Sequence, residues 1–224
     1  ELRTPMTTVM GFSELLASDD VPEARRIEWA NTISQESRRL NNLIEELLSM
    51  SRVASGKLHV DLQPHALDGI ARSALDSVGT SAAHTIVIDI PEHLPLVVAD
   101  RDKLLQILVN LLSNAIKYSP EGGEVRLKAR ESDDGFVLID VIDQGMGISE
   151  EDQEKLFTSF YRIERPETEN IQGTGLGLSI VRSLIELMGG RVHLTSELGL
   201  GSTFCVALPR AAADDGTSEL LRAA

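Results

Sequence analysis

Along residues 23–54 the side chains Ile27, Ala30, Ile33, Ser37, Leu40, Ile44, Leu47 and Ala54 recur at steps of three, four or their sum. That spacing keeps one stripe on one face of a long helix, in the manner of a coiled coil rather than of a lone surface helix. A shorter stripe, Leu2, Met6, Val9, Phe12 and Leu16, precedes it. Ser18-Asp19-Asp20-Val21-Pro22 separates the two, and Pro22 suits the first turn of the second helix. Two helices with one seam each cannot bury both seams by themselves. Self-association into a four-helix bundle solves the problem, and packing of the pair on the rest of the chain is the alternative.

At Ser55-Gly56-Lys57 the period changes. Beyond it, residues 58–62 and 85–90 read as strands and 67–78 as a helix. Residues 101–118 form a long helix with Leu104, Leu108, Leu111 and Ala115 on its buried face. Residues 124–130 and 135–142 alternate like neighbouring antiparallel strands, and 149–160 and 175–188 read as helices. Residues 191–196 and 203–208 read as a closing hairpin around Gly199-Leu200-Gly201. The fold class is therefore an all-α helical hairpin followed by an α/β sandwich with helices on one sheet face. The boundaries expected are 1–55 for the helical domain, 56–210 for the α/β domain and 211–224 for a frayed, Ala- and Asp-rich tail.

With 42% hydrophobic and 25% charged residues the chain has enough apolar matter for a core, but aromatics at 4% leave that core to Leu, Ile, Val and Ala. A net charge of −14 argues against nucleic acid, whose phosphates need clustered Lys and Arg. One cysteine, Cys205, allows neither an internal disulfide nor a cysteine-based metal site, which suits a reducing compartment. No apolar run reaches the ~18 residues of a membrane span and no signal peptide is visible. The chain is expected to be soluble and cytoplasmic, with any membrane anchor in missing upstream segments.

Three constellations carry chemistry. Asn110, Asn114 and Lys117, at i, i+4 and i+7, share one face of the long helix, opposite the Leu stripe. Amide oxygen is a hard neutral ligand suited to Mg²⁺, and a lysine can meet phosphate as a point charge. Asp143-Gln144-Gly145-Met146-Gly147 follows an apolar strand, so a carboxylate at a strand end is set beside glycines that let backbone approach a flat ring. Gln172-Gly173-Thr174-Gly175-Leu176-Gly177-Leu178 opens a helix, exposing N–H groups at its positive end. It lacks both the dinucleotide-binding spacing and a Walker-type lysine. The charged segment 162–170 before it reads as a mobile loop and a candidate lid. Each constellation alone is also what an ordinary polar helix face, a tight turn or a flexible linker looks like.

Taken together they resemble the histidine kinase family, whose nucleotide domain belongs to the GHKL (Bergerat) superfamily. Residues 102–118, DKLLQILVNLLSNAIKY, resemble the N box and Asp143–Gly147 the first glycine box. Residues 156–162, LFTSFYR, resemble the F box, Gly173–Gly177 the second glycine box, and Gly201-Ser202-Thr203-Phe204 the motif of the last strand pair. Glu1-Leu2-Arg3-Thr4-Pro5-Met6 resembles the H box with its first residue cut off. The phosphoacceptor histidine of that box would immediately precede Glu1, and His59, His65, His84, His93 and His193 lie outside the motif.

The resemblance implies that Asn114 binds the Mg²⁺ bridging the ATP phosphates, with Asn110 beside it. It implies that Lys117 contacts phosphate, Tyr118 packs near adenine, and Asp143 accepts from the adenine amino group. Gly145, Gly147 and Ile148 would shape that pocket, while Gly173, Thr174, Gly175, Leu176, Gly177 and Leu178 would form the lid hinge and phosphate-facing turn. Thr203 joins the pocket from the last strand pair. As catalytic groups it implies Arg162 at the transferred phosphoryl, Glu1 as general base or orienting acid of the histidine, and Thr4 in dephosphorylation of a partner. The implied partners are a second copy of the chain and a response-regulator receiver domain. Two other classes compete: a superfamily ATPase of the chaperone, gyrase or mismatch-repair type, and a non-catalytic docking module. The amide of Asn110, where hydrolytic members carry a water-activating glutamate, argues against the first. The intact boxes argue against the second.

Overall fold

The structure is a computed structural model that describes residues 2–17, 21–56, 58–79, 83–163, 165–168, 171 and 173–212, without the side chain of Ala54. Glu1, Gln172, part of the 162–170 segment, residues 18–20 of the first break and residues 213–224 of the expected tail lie outside the described residues. The chain divides into two compact units, Glu1–Leu58 and His59–Ala224.

The first unit is a helical hairpin of α1 (Arg3–Leu16) and α2 (Glu23–Ala54). Pro22 sits at the N-cap of α2, where its fixed φ and missing N–H do no harm, and its carbonyl accepts from Arg25 and Arg26 N–H. Gly56, at φ +64°, follows the helix end, a left-handed position that glycine adopts without strain. Within the hairpin Phe12 meets Trp29 with ring centroids 6.0 Å apart, and Leu43 is buried. Met6, Ile27, Ile44 and Leu47 of the expected seams, with Met10, Leu15 and Leu48, are exposed. One hairpin thus consumes part of its apolar surface and leaves a second stripe in water.

The second unit is a five-stranded sheet with a helical layer. β2 (His84–Asp89), β4 (Gly123–Glu131), β5 (Phe136–Asp143), β6 (Arg191–Glu197) and β7 (Gly201–Pro209) lie in the order β2-β4-β5-β7-β6. β2 and β4 are parallel and the other pairs antiparallel. Short strands β1 (Gln63–His65) and β3 (Val97–Ala99) pair separately. Alternation places Val125, Leu127 and Ala129 of β4, Val137, Ile139 and Val141 of β5, and Phe204, Val206 and Leu208 of β7 in the core. The helices α3 (Leu67–Val78), α4 (Arg101–Lys117) and α6 (Gly177–Leu187) bury the complementary faces. Leu104, Leu108, Leu111 and Ala115 of α4 are buried, as their period requires. Each such leucine contributes about 1.5–3 kcal/mol by leaving water. The Asp100 side chain caps α4, accepting from Asp102 and Lys103 N–H at 3.1 Å each. Among the described residues no helix is long and apolar enough to cross a membrane.

Two expectations change. The first strand is Gln63–His65 rather than 58–62, and its partner β3 was not anticipated. The helix expected over 149–160 is α5 (Glu150–Lys155) alone. It is followed by a turn in which Thr158 N–H donates to Lys155 O, and the chain then passes Phe160 at φ +65°, whose N–H donates to Gly175 O at 2.9 Å. The segment read as a mobile loop carries a 3-10 turn, Pro166–Thr168, wound around the buried Thr168 hydroxyl, which donates within hydrogen-bond reach of Ile163 O and Arg165 O.

Candidate nucleotide site

β5 is apolar on its helix-covered side, and alternation carries that side past Val141 to Asp143, so a carboxylate ends a row of core positions at 7% exposure. Asp143 Oδ1 accepts from Gly145 N at 2.9 Å and from Ser202 N at 3.1 Å. Burial raises the Asp143 pKa, and these two N–H groups pull it partly back. Oδ2 accepts no hydrogen bond among the described residues. Asp143 keeps 7% exposure, so Oδ2 is open to a donor from outside the chain, such as an exocyclic amine.

The turn after Asp143 is wedged against its surroundings. Met146 N donates to Tyr118 O at the end of α4, and Gly199 N donates to Met146 O. Gly147 has φ +64°, and a Cβ there would lie 1.9 Å from Glu197 O, so only glycine fits. Ile148 N donates to Ser196 Oγ at 2.9 Å. Gln153 of α5 donates from Nε2 to Ile148 O at 2.9 Å and to Ser196 O at 3.0 Å.

The glycine-rich segment runs back along the polar face of α4. A Cβ on Gly173 would lie 2.8 Å from Lys117 Nζ, and one on Gly177 would lie 2.4 Å from Asn110 Nδ2. The two glycines thus bracket the same helix face over two turns. Thr174 Oγ1 accepts from Leu176 N at 3.1 Å, Leu176 is buried, Leu178 is half-buried, and Gly175 carries the bond to Phe160. On α4, Asn114 Nδ2 donates to Asn110 Oδ1 at 3.1 Å. One lone pair of the Asn110 oxygen is thereby engaged.

Two cations stand at Tyr118. Lys117 Nζ is 5.5 Å from its ring centroid, and Arg162 opposes the rise in its pKa that burial causes. Arg162 Nη2 donates to Ile171 O at 2.6 Å. Asp152 of α5 collects Ser149 Oγ at 2.6 Å, Tyr161 Oη at 2.8 Å and Arg165 Nη2 at 2.6 Å, which ties the start of the 161–171 segment to α5.

The structure brings Asn110, Asn114, Lys117, Tyr118, Asp143, Gly145, Gly147, Ile148, Arg162 and the 173–178 segment to one end of the sheet. Thr203 is not among them. It pairs with Ile142 and Thr195 on the opposite sheet face from Asp143, and Ser202 takes the place beside the carboxylate. Thr4 is exposed on α1 in the other unit, and Glu1 lies outside the described residues. Ser196, Ser202 and Gln153 escaped the sequence reading. The signal was present for the serines, since Val192, Leu194 and Ser196, and Ser202, Phe204 and Val206, keep the apolar phase of their strands. Burial, then a hydrogen bond with Asp140, pushes the Cys205 thiol up to about 12.

The donor set fits a metal carried in by phosphate rather than one caged by protein. Among the described residues no three His, Cys, Asp or Glu gather, whereas one amide oxygen suffices for Mg²⁺ that keeps waters and phosphate oxygens. The carboxylate with one open oxygen, the glycine walls and the two cations fit a purine nucleotide.

The model of the histidine kinase-, DNA gyrase B-, and HSP90-like ATPases matches residues 99–212, half of the chain. The chain belongs to that family. The His Kinase A (phospho-acceptor) domain matches residues 1–56 in front of the ATPase domain, and the two in this order make a sensor histidine kinase catalytic core. The sensor-like histidine kinase SenX3 of Mycolicibacterium smegmatis is 37% identical over 213 residues, covering 93% of this chain and 55% of SenX3. Drug sensory protein A of Synechocystis sp. is 33% identical over 219 residues, covering 91% of this chain and 33% of its own length. The crystal structure of full-length ShkA in complex with AMPPNP superposes with a TM-score of 0.70 at 30% identity, covering 94% of this chain and 44% of ShkA. The chain thus spans between a third and about half of these relatives.

Proposed function

We propose that this chain is the ATP-dependent protein-histidine kinase core of a two-component system. The observation that carries the reading is Asp143: Oδ1 held by Gly145 and Ser202 N–H, Oδ2 open, at the end of a core strand and beside the α4 amides. ShkA, with the same fold, binds the ATP analogue AMPPNP. In this reading Oδ2 accepts from the adenine amine, and Gly145, Gly147 and Ile148 wall the base. Lys117 faces phosphate, and Asn114 Oδ1 is the protein ligand of Mg²⁺. Bound Mg²⁺ supplies charge neutralisation along the phosphates. Arg162 exchanges its bond to Ile171 for the transferred phosphoryl.

The acceptor is the histidine of the H box, immediately before Glu1, with Glu1 orienting it. The phosphoryl group then passes to an aspartate of a response-regulator receiver domain. Thr4, one helical turn along α1, positions water for the reverse dephosphorylation. The hairpin pairs with that of a second copy through its exposed apolar stripe, and the reaction belongs in the cytoplasm, where ATP is. A hydrolytic ATPase of the gyrase or HSP90 type is disfavoured on two grounds: the amide of Asn110 is no base, and a phosphoacceptor domain precedes the site.

Replacing Asp143 by Asn keeps its shape and lets a donor replace the open acceptor. Calorimetry should find ATP binding weakened about tenfold, the worth of one buried hydrogen bond. Equal affinity in Asp143→Asn and the parent chain would overturn the adenine assignment.

A further inference from the structure

Asp143, Ser202 and Ser196 stand in register across β5, β7 and β6. The preceding rows of that face, Val141–Phe204–Leu194 and Ile139–Val206–Val192, are apolar, so a polar row ends an otherwise hydrophobic surface. Ser196 Oγ accepts from Ile148 N at 2.9 Å, donates to Gly201 O at 2.8 Å, and lies 3.0 Å from Ser202 Oγ. A hydroxyl has one hydrogen and two lone pairs, so the Ser202 hydroxyl must donate in this arrangement and the capacity of Ser196 is filled. Its partners are not arbitrary. Ile148 closes the turn that begins at Asp143, and Ser202 supplies one of the two N–H groups on Asp143 Oδ1. Gln153 grips the same place from α5, spending both amide hydrogens on Ile148 O and Ser196 O.

We infer that Ser196, clamped by Gln153, is a positioning residue for base selection, fixing the Asp143 carboxylate so that Oδ2 faces an amine and rejects a carbonyl. The inference rests on the adenine reading above and adds to it. A guanine would bring its carbonyl oxygen against Oδ2, acceptor against acceptor. That repulsion discriminates only while the carboxylate cannot turn away, and it cannot turn while Gly145 and Ser202 N–H stay in place. Ser196 holds the turn of the one through Ile148 N and the strand of the other through Gly201 O and the Ser202 hydroxyl.

The test is the ratio of GTP to ATP dissociation constants, measured by calorimetry with Mg²⁺ on the whole chain. Ser196→Ala should lower that ratio about three- to tenfold, the range of one hydrogen bond's net worth. Ser196→Thr, which keeps the hydroxyl, should hold the ratio near that of the parent. Gln153→Leu should lower it as well, and it carries the test if Ser196→Ala melts below the assay temperature. An unchanged ratio in Ser196→Ala and Gln153→Leu, with both nucleotides weakened alike, overturns the proposal, because Ser196 then merely holds the fold. Asp143→Asn tests the adenine reading separately: if it leaves the ratio unchanged, that reading falls. A ratio that collapses in Asp143→Asn and holds in Ser196→Ala overturns the positioning role alone.

Discussion

Asp143 is held in a place that suits binding better than folding. Burial raises its pKa above that of the unfolded chain, so the folded state takes up its proton more readily than the unfolded state. The cost of ionising it is absent below the unfolded pKa and fully present above the folded one. Asp143→Asn keeps an oxygen for Gly145 and Ser202 N–H and removes that charge. The nucleotide-free variant should therefore melt above the parent at pH 7, by a few degrees at most, while binding ATP less well. A lower melting temperature would mean that the carboxylate stabilises the fold. The α4 amides divide their work in a similar way. Asn110 Oδ1 accepts from Asn114 Nδ2, and the Asn114 oxygen is the one proposed to meet the metal. Titrations with and without Mg²⁺ should find that Asn114→Ala loses the metal's contribution to ATP binding, whereas Asn110→Asp retains most of it. The reverse pattern would exchange the two roles.

At the scale of elements, α4, β4, β5, β6 and β7 were legible because long runs average their period over many residues. Asp143 was legible for a related reason: a carboxylate directly after Val-Leu-Ile-Asp-Val-Ile stands out. The three-residue strands β1 and β3 were not, since so few positions cannot establish alternation. Beyond α5, Phe160 is held by Gly175, fifteen residues further on, and no local pattern announces that contact. Thr203 and Ser202 differ by one residue and therefore by sheet face, which only the register decides. Of the charges in the 162–170 segment, Arg165 pairs with Asp152 and Arg162 donates to Ile171 O, while the Thr168 hydroxyl is buried. In the hairpin, period alone could not say which apolar side chains meet inside one copy and which are left over. Ile44 and Leu47 are left over. Changing both to Glu should weaken self-association about a hundredfold or more, since each buried side chain is worth about 1.5–3 kcal/mol. Circular dichroism should report the same helix content. Sedimentation of the double variant as a stable dimer would exclude this stripe as the interface.

For the molecule as a whole, the two units divide the reaction. The α/β unit carries every group proposed to meet ATP, and the hairpin carries the H-box residues proposed to receive and return the phosphoryl group. Residues 59–212 alone should accordingly bind ATP without self-associating. The central claim is that ATP bound in one unit phosphorylates a histidine at the start of the other. Incubation with γ-labelled ATP and Mg²⁺, of the chain as it stands and of the same chain with a histidine placed before Glu1, tests it most directly. Acid-labile, base-stable label should appear on that histidine, and none on the chain without it although both bind ATP. Label of that kind on the chain without it would move the acceptor to His59, His65, His84, His93 or His193 and contradict the account.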